Sequence, residues 1–270
     1  MHRRLGNVAA TLRRRQQRCF STAGPNVTTP AAAAPVIDGM DRYPHLNSSR
    51  GILRGIDYLG TWVFAASGAI TAATHGMDLL GAVAVGTITA CGGGTVRDIV
   101  VFARPPFWSG PDGETEYLWM SAAAAIAGFY LYPEYKEAFE SRAMDWTDAL
   151  CIGAFGVIGA QNGIRGGLSP ALCVLCGMST GTFGGATRDV LTKRPVRIFH
   201  SYAEIYATTA AGAAAAYLCT RALALPLGFR IGAGISTAVA MRYCAWTYGL
   251  RLPSYESMGW SEHLAANKKQ

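Results

Sequence analysis

The stretch from Asp57 to Asp98 recurs, without a gap, 91 positions later as Asp148 to Asp189. Thirteen of the 42 aligned positions are identical, among them Phe64/Phe155, Gly68/Gly159, Gly86/Gly177 and Thr89/Thr180. Both copies close on the same signature, "GGGTVRD" at 92–98 and "FGGATRD" at 183–189. A chain rich in Gly and Ala supplies some identities by chance. It does not supply Arg-Asp behind Gly-Gly in the same register.

Each copy is built from apolar runs of near-spanning length, and a spanning helix needs ~20 mostly apolar residues. Seven segments qualify: Tyr58–Thr74, Leu79–Val101, Leu118–Tyr132, Ala149–Ile164, Pro170–Leu191, Tyr202–Leu218 and Leu227–Trp246. The short connections carry the charges, and Trp or Tyr stands near many segment ends, as interfacial belts prefer. Hydrophobic residues make up 50% and charged residues only 15% of the chain, against about 25% charged in an average protein. A soluble helical protein would stripe its helices with polar residues; these segments are nearly unstriped. The expected fold is therefore an all-α membrane protein of seven transmembrane helices.

Three spans per copy is an odd number, so the chain leaves the first copy on the side opposite its entry. The second copy then sits upside down, the inverted-repeat plan of many transporters. The expected boundaries are 54–142 for the first three-span repeat, 145–222 for the second and 226–248 for the seventh span, with a polar tail at 249–270. Residues 1–50 differ in kind, with eight Lys/Arg against two acids. The opening "MHRRLGNVAATLRRRQQRCFSTAG" has six Arg, no acid and no apolar signal core, the composition of an organelle transit peptide. Its Arg18-Cys19-Phe20-Ser21 resembles the matrix-protease cleavage signal of mitochondrial precursors. A Pro/Ala linker follows. The expected location is the mitochondrial inner membrane.

Glycine costs ~1 kcal/mol against Ala inside a helix, so Gly92-Gly93-Gly94 and Gly184-Gly185 are expected to kink or unwind their spans. Backbone groups freed in hydrocarbon must line a water-filled cavity or meet a ligand, and matching broken spans point to a transport site. From Leu79 to Gly93 is about 21 Å of helix in a core ~30 Å thick. Each break is thus expected ~6 Å to one side of the midplane, with a short passage between the two. Gly68, Gly81 and Gly86 are assigned to helix packing. Adjacent helical residues point about 100° apart, so Arg97 and Asp98, like Arg188 and Asp189, are expected to find partners elsewhere. The guanidinium would bind a carboxylate or close a gate. The candidate path residues are Gly92, Gly93, Gly94, Thr95, Arg97, Asp98, Gly184, Gly185, Thr187, Arg188 and Asp189. Arg242 is expected to face the bundle interior or to snorkel. Glu116 and Glu204 are ascribed to helix dipoles.

Other classes of function find little footing. The basic excess sits in the leader and not on a folded face, so nucleic acid is not an expected partner. Cys173-Val-Leu-Cys176 has no second pair or His cluster, so no metal or cofactor is expected. A phosphate-cradling enzyme loop would need a strand before the glycines, and "LLGAVAVGTITAC" at 79–91 is not one.

From about residue 54 to 248 the chain resembles the bacterial glycine transporter domain proteins. These are distant relatives of the trimeric intracellular cation channels, with a three-plus-three-plus-one plan of seven spans. The likeness rests on "GGGTVRD" and "GGATRDVL", and on "ARPP" and "KRPV" just after them. It implies a path along the glycine-bearing helices and a trimer with one path per subunit. The transit-like leader departs from the bacterial pattern, and Phe183 stands where the first copy has Gly92. The channel relatives' lipid-binding and gating Lys has no clear match in this sequence. The expected function is membrane transport of a small solute, glycine or a similar amino acid, with a monovalent cation channel as the alternative. Lipids and further copies of the chain are the expected partners.

Overall fold

A computed structural model describes residues 48–109, 113–199 and 205–253. Seven long helices follow in order: α1 Ser49–Thr74, α2 Leu79–Val96, α3 Glu116–Leu131, α4 Arg142–Arg165, α5 Pro170–Leu191, α6 Ala207–Ala222 and α7 Leu227–Tyr248. A π-helical turn, Arg97–Val101, extends α2, and one helical turn, Lys136–Phe139, precedes α4. No strand occurs among the described residues. The leader and most of the linker lie outside the described residues, as do Tyr202, Glu204 and residues 254–270 of the polar tail.

Local chemistry sets the ends. Ser48 caps α1 by accepting from Gly51 N–H at 3.0 Å, which starts that helix nine residues before the apolar run. Asp78 caps α2 through Gly81 N–H at 2.7 Å, and Pro170 opens α5 behind Ser169. Gly76 at φ 82° and Gly167 at φ 68° make the left-handed turns after α1 and α4, where a side chain would be strained.

The packing repeats itself. α1 packs on α2 and α3 as α4 packs on α5 and α6, and α2 meets α5 across the centre. α7 lies on α4 and α6. Every residue of α4 from Cys151 to Gln161 is buried, so this helix is enclosed on all sides. Its apolar partners include Leu53 and Phe64 of α1, Tyr217 of α6 and Ile231 of α7. The outer faces are apolar instead: Leu80, Val100, Trp119, Val190 and Phe229 are each at least 60% exposed. That much apolar surface suits hydrocarbon better than water. Two helices, Leu79–Val101 and Arg142–Arg165, are by length and composition sufficient to cross a bilayer. The others are shorter or are diluted by Gly, Thr and buried charge.

The glycine stretches overturn one expectation. α2 runs unbroken as α-helix through Gly92, Gly93 and Gly94, and α5 runs unbroken through Gly184 and Gly185. The glycines bring two backbones together. A Cβ on Gly93 would strike the carbonyl of Thr180, and one on Gly184 would strike the carbonyl of Thr89. A Cβ on Gly92 would lie 3.2 Å from the Cα of Gly184. The two stretches therefore touch, with no passage between them. Gly68 and Gly86 do serve packing, each against the other's helix, whereas Gly81 lies over its own cap at Asp78 and Met77.

A paired substitution separates contact from bending. A Cβ at position 185 would meet nothing nearer than an Arg188 nitrogen at 3.9 Å. Gly184→Ala is expected to lose about 1–3 kcal/mol through overpacking, while Gly185→Ala holds or gains up to ~1 kcal/mol. Thermal midpoints of the two variants in detergent check this, and equal midpoints would refute the crossing.

Candidate functional site

The Arg-Asp pairs that end the two copies fold back on themselves. Arg97 donates through Nε and Nη2 to Oδ1 of Asp98, both at 3.0 Å. Arg188 does the same to Asp189, at 2.9 and 2.7 Å. This corrects the expectation that neighbours in sequence could not pair. Three methylenes let the guanidinium fork curl back along the helix, and it reaches the carboxylate despite the angle between the Cβ bonds.

The second oxygen of each aspartate organises the loop beyond. Asp98 Oδ2 accepts from Phe107 N–H at 2.9 Å, and Asp189 Oδ2 accepts from Arg197 N–H at 3.1 Å. Backbone bonds match as well: Arg104 N–H to Asp98 C=O at 3.1 Å, and Arg194 N–H to Asp189 C=O at 2.8 Å. Ala103 and Lys193, just before those arginines, take left-handed φ of 48° and 55°. The first loop holds one residue more than the second, and the π-helical turn Arg97–Val101 takes it up, as single-residue insertions in helices do. "ARPP" and "KRPV" are thus structural equals, one position out of the repeat register.

The two ends are not held equally. Arg104 adds a second guanidinium to Asp98 Oδ1 at 2.7 Å, and Arg97 also reaches Thr180 Oγ1 of α5 at 3.3 Å. Asp98 is fully buried. At the other end Arg188 is the only guanidinium paired with Asp189 among the described residues.

Two cavities flank the glycine crossing. One, about 270 Å³, takes Arg54, Asp57 and Thr61 from the start of α1, Gly94 and Arg97 from the end of α2, and Phe155 to Arg165 from the end of α4. The other, about 300 Å³, takes Phe64 to Thr71 from the later half of α1, Asp145 and Asp148 from the start of α4, and Gly185, Arg188 and Asp189 from the end of α5. They therefore lie at opposite ends of α1 and of α4. Their linings correspond under the repeat: Asp57/Asp148, Gly94/Gly185 and Arg97/Arg188. Between them stand Phe64 and Phe155, themselves equivalents, with ring centroids 5.4 Å apart. Phe64 lines the Arg188 cavity and Phe155 the Arg97 cavity.

Of the eleven residues expected on a path, the structure brings Gly94 and Arg97 to one cavity and Gly185, Arg188 and Asp189 to the other. Gly92, Gly93 and Gly184 serve the helix crossing. Asp98 sits behind Arg97. Thr95 and Thr187 bond their own helices, to Cys91 C=O at 2.9 Å and Phe183 C=O at 2.8 Å, and Thr95 also accepts from the Trp108 indole at 2.9 Å.

A second set of polar side chains escaped the sequence reading. In the Arg97 cavity the Tyr117 hydroxyl donates to Asp57, and Arg54 bonds Tyr117 at 2.8 Å and both oxygens of Glu114. In the Arg188 cavity the Tyr206 hydroxyl donates to Asp148 at 2.9 Å, with Arg242 of α7 at 3.8 Å from the same carboxylate. Arg242 thus faces the interior. Only the Asp57/Asp148 identity in the repeat signalled these clusters.

Comparison with known proteins agrees with a membrane fold. The model of the glycine transporter family matches twice, over residues 55–133 and 145–222. A UPF0126 membrane protein of Deinococcus radiodurans is 30% identical over 201 residues, spanning 74% of this chain and 91% of that protein. The UPF0126 inner membrane protein YadS of Escherichia coli is 28% identical over 201 residues, spanning 74% and 94%. Among solved structures, the TRIC trimeric intracellular cation channel orthologue from Rhodobacter sphaeroides superposes with a TM-score of 0.64 at 32% identity, covering 74% of this chain and 99% of that one. A prokaryotic TRIC channel in 0.5 M KCl gives 0.62 at 27% identity, over 73% and 97%. With a family model covering more than half of its length, this chain belongs to the glycine transporter family of multi-pass membrane transport proteins.

Proposed function

We propose that the protein is a monovalent cation channel crossing the membrane seven times, as two inverted three-helix repeats plus α7. What supports this reading is the pair of equivalent polar cavities at opposite ends of α1 and α4, meeting at the Phe64–Phe155 contact. The likeness to solved cation channels at 27–32% identity favours it over glycine carriage, for which the family's description alone speaks. Each cavity offers oxygens and the guanidinium of one Arg-Asp pair. At the Arg188 neck the aspartate offsets the guanidinium, so an approaching cation meets a dipole and not a bare positive charge; at the other neck Asp98 is shared between Arg97 and Arg104. Two apolar rings across the junction make a constriction that can dewet and so stop ions. The path runs beside the glycine crossing and not between the glycine stretches. Three copies, each with its own path, would complete the assembly, and a monomeric native mass in mild detergent would remove that part.

Proteoliposomes loaded with K⁺ test the reading directly. Valinomycin-independent K⁺ flux is expected, and saturable glycine uptake without it would reverse the choice. In the same vesicles Phe64→Ala with Phe155→Ala should raise flux several-fold by widening the constriction. Asp189→Asn should lower it about tenfold, equivalent to ~1.4 kcal/mol, because Arg188 is left uncompensated.

We assign the chain to the mitochondrial inner membrane on its Arg-rich, acid-free leader alone. A fluorescent protein fused after Gln270 should mark mitochondria, and deleting residues 1–24 should disperse it. Unchanged targeting after that deletion would strip the leader of its role.

A further inference from the structure

We infer that Arg242, carried by α7, is the positioning residue of the Arg188 cavity, filling in the second copy the place that Arg54 holds in the first. The inference rests on the channel reading for its effect on flux, and on geometry alone for its effect on stability.

Asp57 and Asp148 are repeat equivalents. Each accepts a tyrosine hydroxyl, from Tyr117 and Tyr206. Each also has one guanidinium close by, at 3.7 Å from Arg54 and at 3.8 Å from Arg242. Arg54 stands three residues before its aspartate on the same helix. Three residues before Asp148 the chain has Asp145, an acid in place of the cation, and it pairs with Arg142 at 3.9 Å. α4 therefore cannot supply the charge that α1 supplies to itself. Asp148 is half-buried, and a carboxylate partly withdrawn from water is unfavourable without a close cation; α7 brings one from outside the repeat.

The surroundings hold Arg242 in this task. It is 1% exposed, and its Nη1 donates to Ile205 C=O at 3.2 Å. Its guanidinium lies 5.1 Å from the ring centre of Tyr206 and 4.9 Å from that of Trp246. Arg197 covers Tyr206 as well, at 4.4 Å. Two guanidinium groups thereby lie against Tyr206, whose hydroxyl is on Asp148 at the wall of the cavity. The seventh helix is thus a working part of one mouth, and among the described residues it does not line the other.

If positions 54 and 242 do the same work, a cation at the position equivalent to Arg54 should replace Arg242. Arg242→Gln and the double variant Arg242→Gln with Asp145→Arg would be compared with wild type, in K⁺ flux per inserted protein and in thermal midpoint in detergent. Flux is expected to fall roughly tenfold in the single variant and to return to within about twofold of wild type in the double. The midpoint should fall and recover in parallel. A double variant no better than the single one, or a single variant equal to wild type in both measures, would overturn the inference. Should the single variant fail to fold, the double must restore monodisperse protein, and its failure to do so counts equally against the assignment. Wild-type vesicles silent to K⁺ would dispose of the channel reading and leave the midpoints to judge the clamp.

Discussion

The bundle depends on a backbone-to-backbone contact at its centre. Apolar side chains gain little from meeting each other in lipid, so helices associate there through close van der Waals packing of small residues. α2 and α5 carry this to its limit, with Gly93 against the Thr180 carbonyl and Gly184 against the Thr89 carbonyl. The two contacts are the same contact seen from each copy. Because the helices touch there, space opens on either side of the crossing. The cavities are that space, and the charged ends of α2 and α5 are carried into them.

Each aspartate of the repeated signature then sets the shape of its end. One carboxylate oxygen restrains the preceding arginine and the other holds a backbone N–H eight or nine residues on. The same residue thereby fixes a charge inside the cavity and the loop that rims it. Removing it would disturb both, which explains why the motif joins glycines, arginine and aspartate within about two turns of helix. The glycines locate the crossing, and the charge pair finishes the helix that crosses.

The order of long helices and their near-spanning lengths were legible in the sequence, because apolar length and a gapless duplication are local records. The role of the glycines was not. A glycine run lowers helix propensity and also permits close approach. Which of the two prevails depends on whether another glycine-bearing backbone lies opposite, a fact held 91 residues away. The Arg-Asp reading failed for a different reason. Helical angles describe Cβ directions, and an arginine reaches well beyond them. The cluster around Asp57 draws on two separated segments and that around Asp148 on four, and nothing near Tyr117, Tyr206 or Arg242 announces its partner. Their residues are ordinary ones made particular by the fold.

The extra residue in the loop after α2 has a further consequence. By absorbing it in a wide turn, the first copy swings Arg104 onto its carboxylate, whose twin has a single guanidinium among the described residues. A protein assembled from two like halves thereby acquires a front and a back. Among the described residues one end of the bundle is double-bolted and the other single-bolted, so the two ends differ although the architecture nearly repeats.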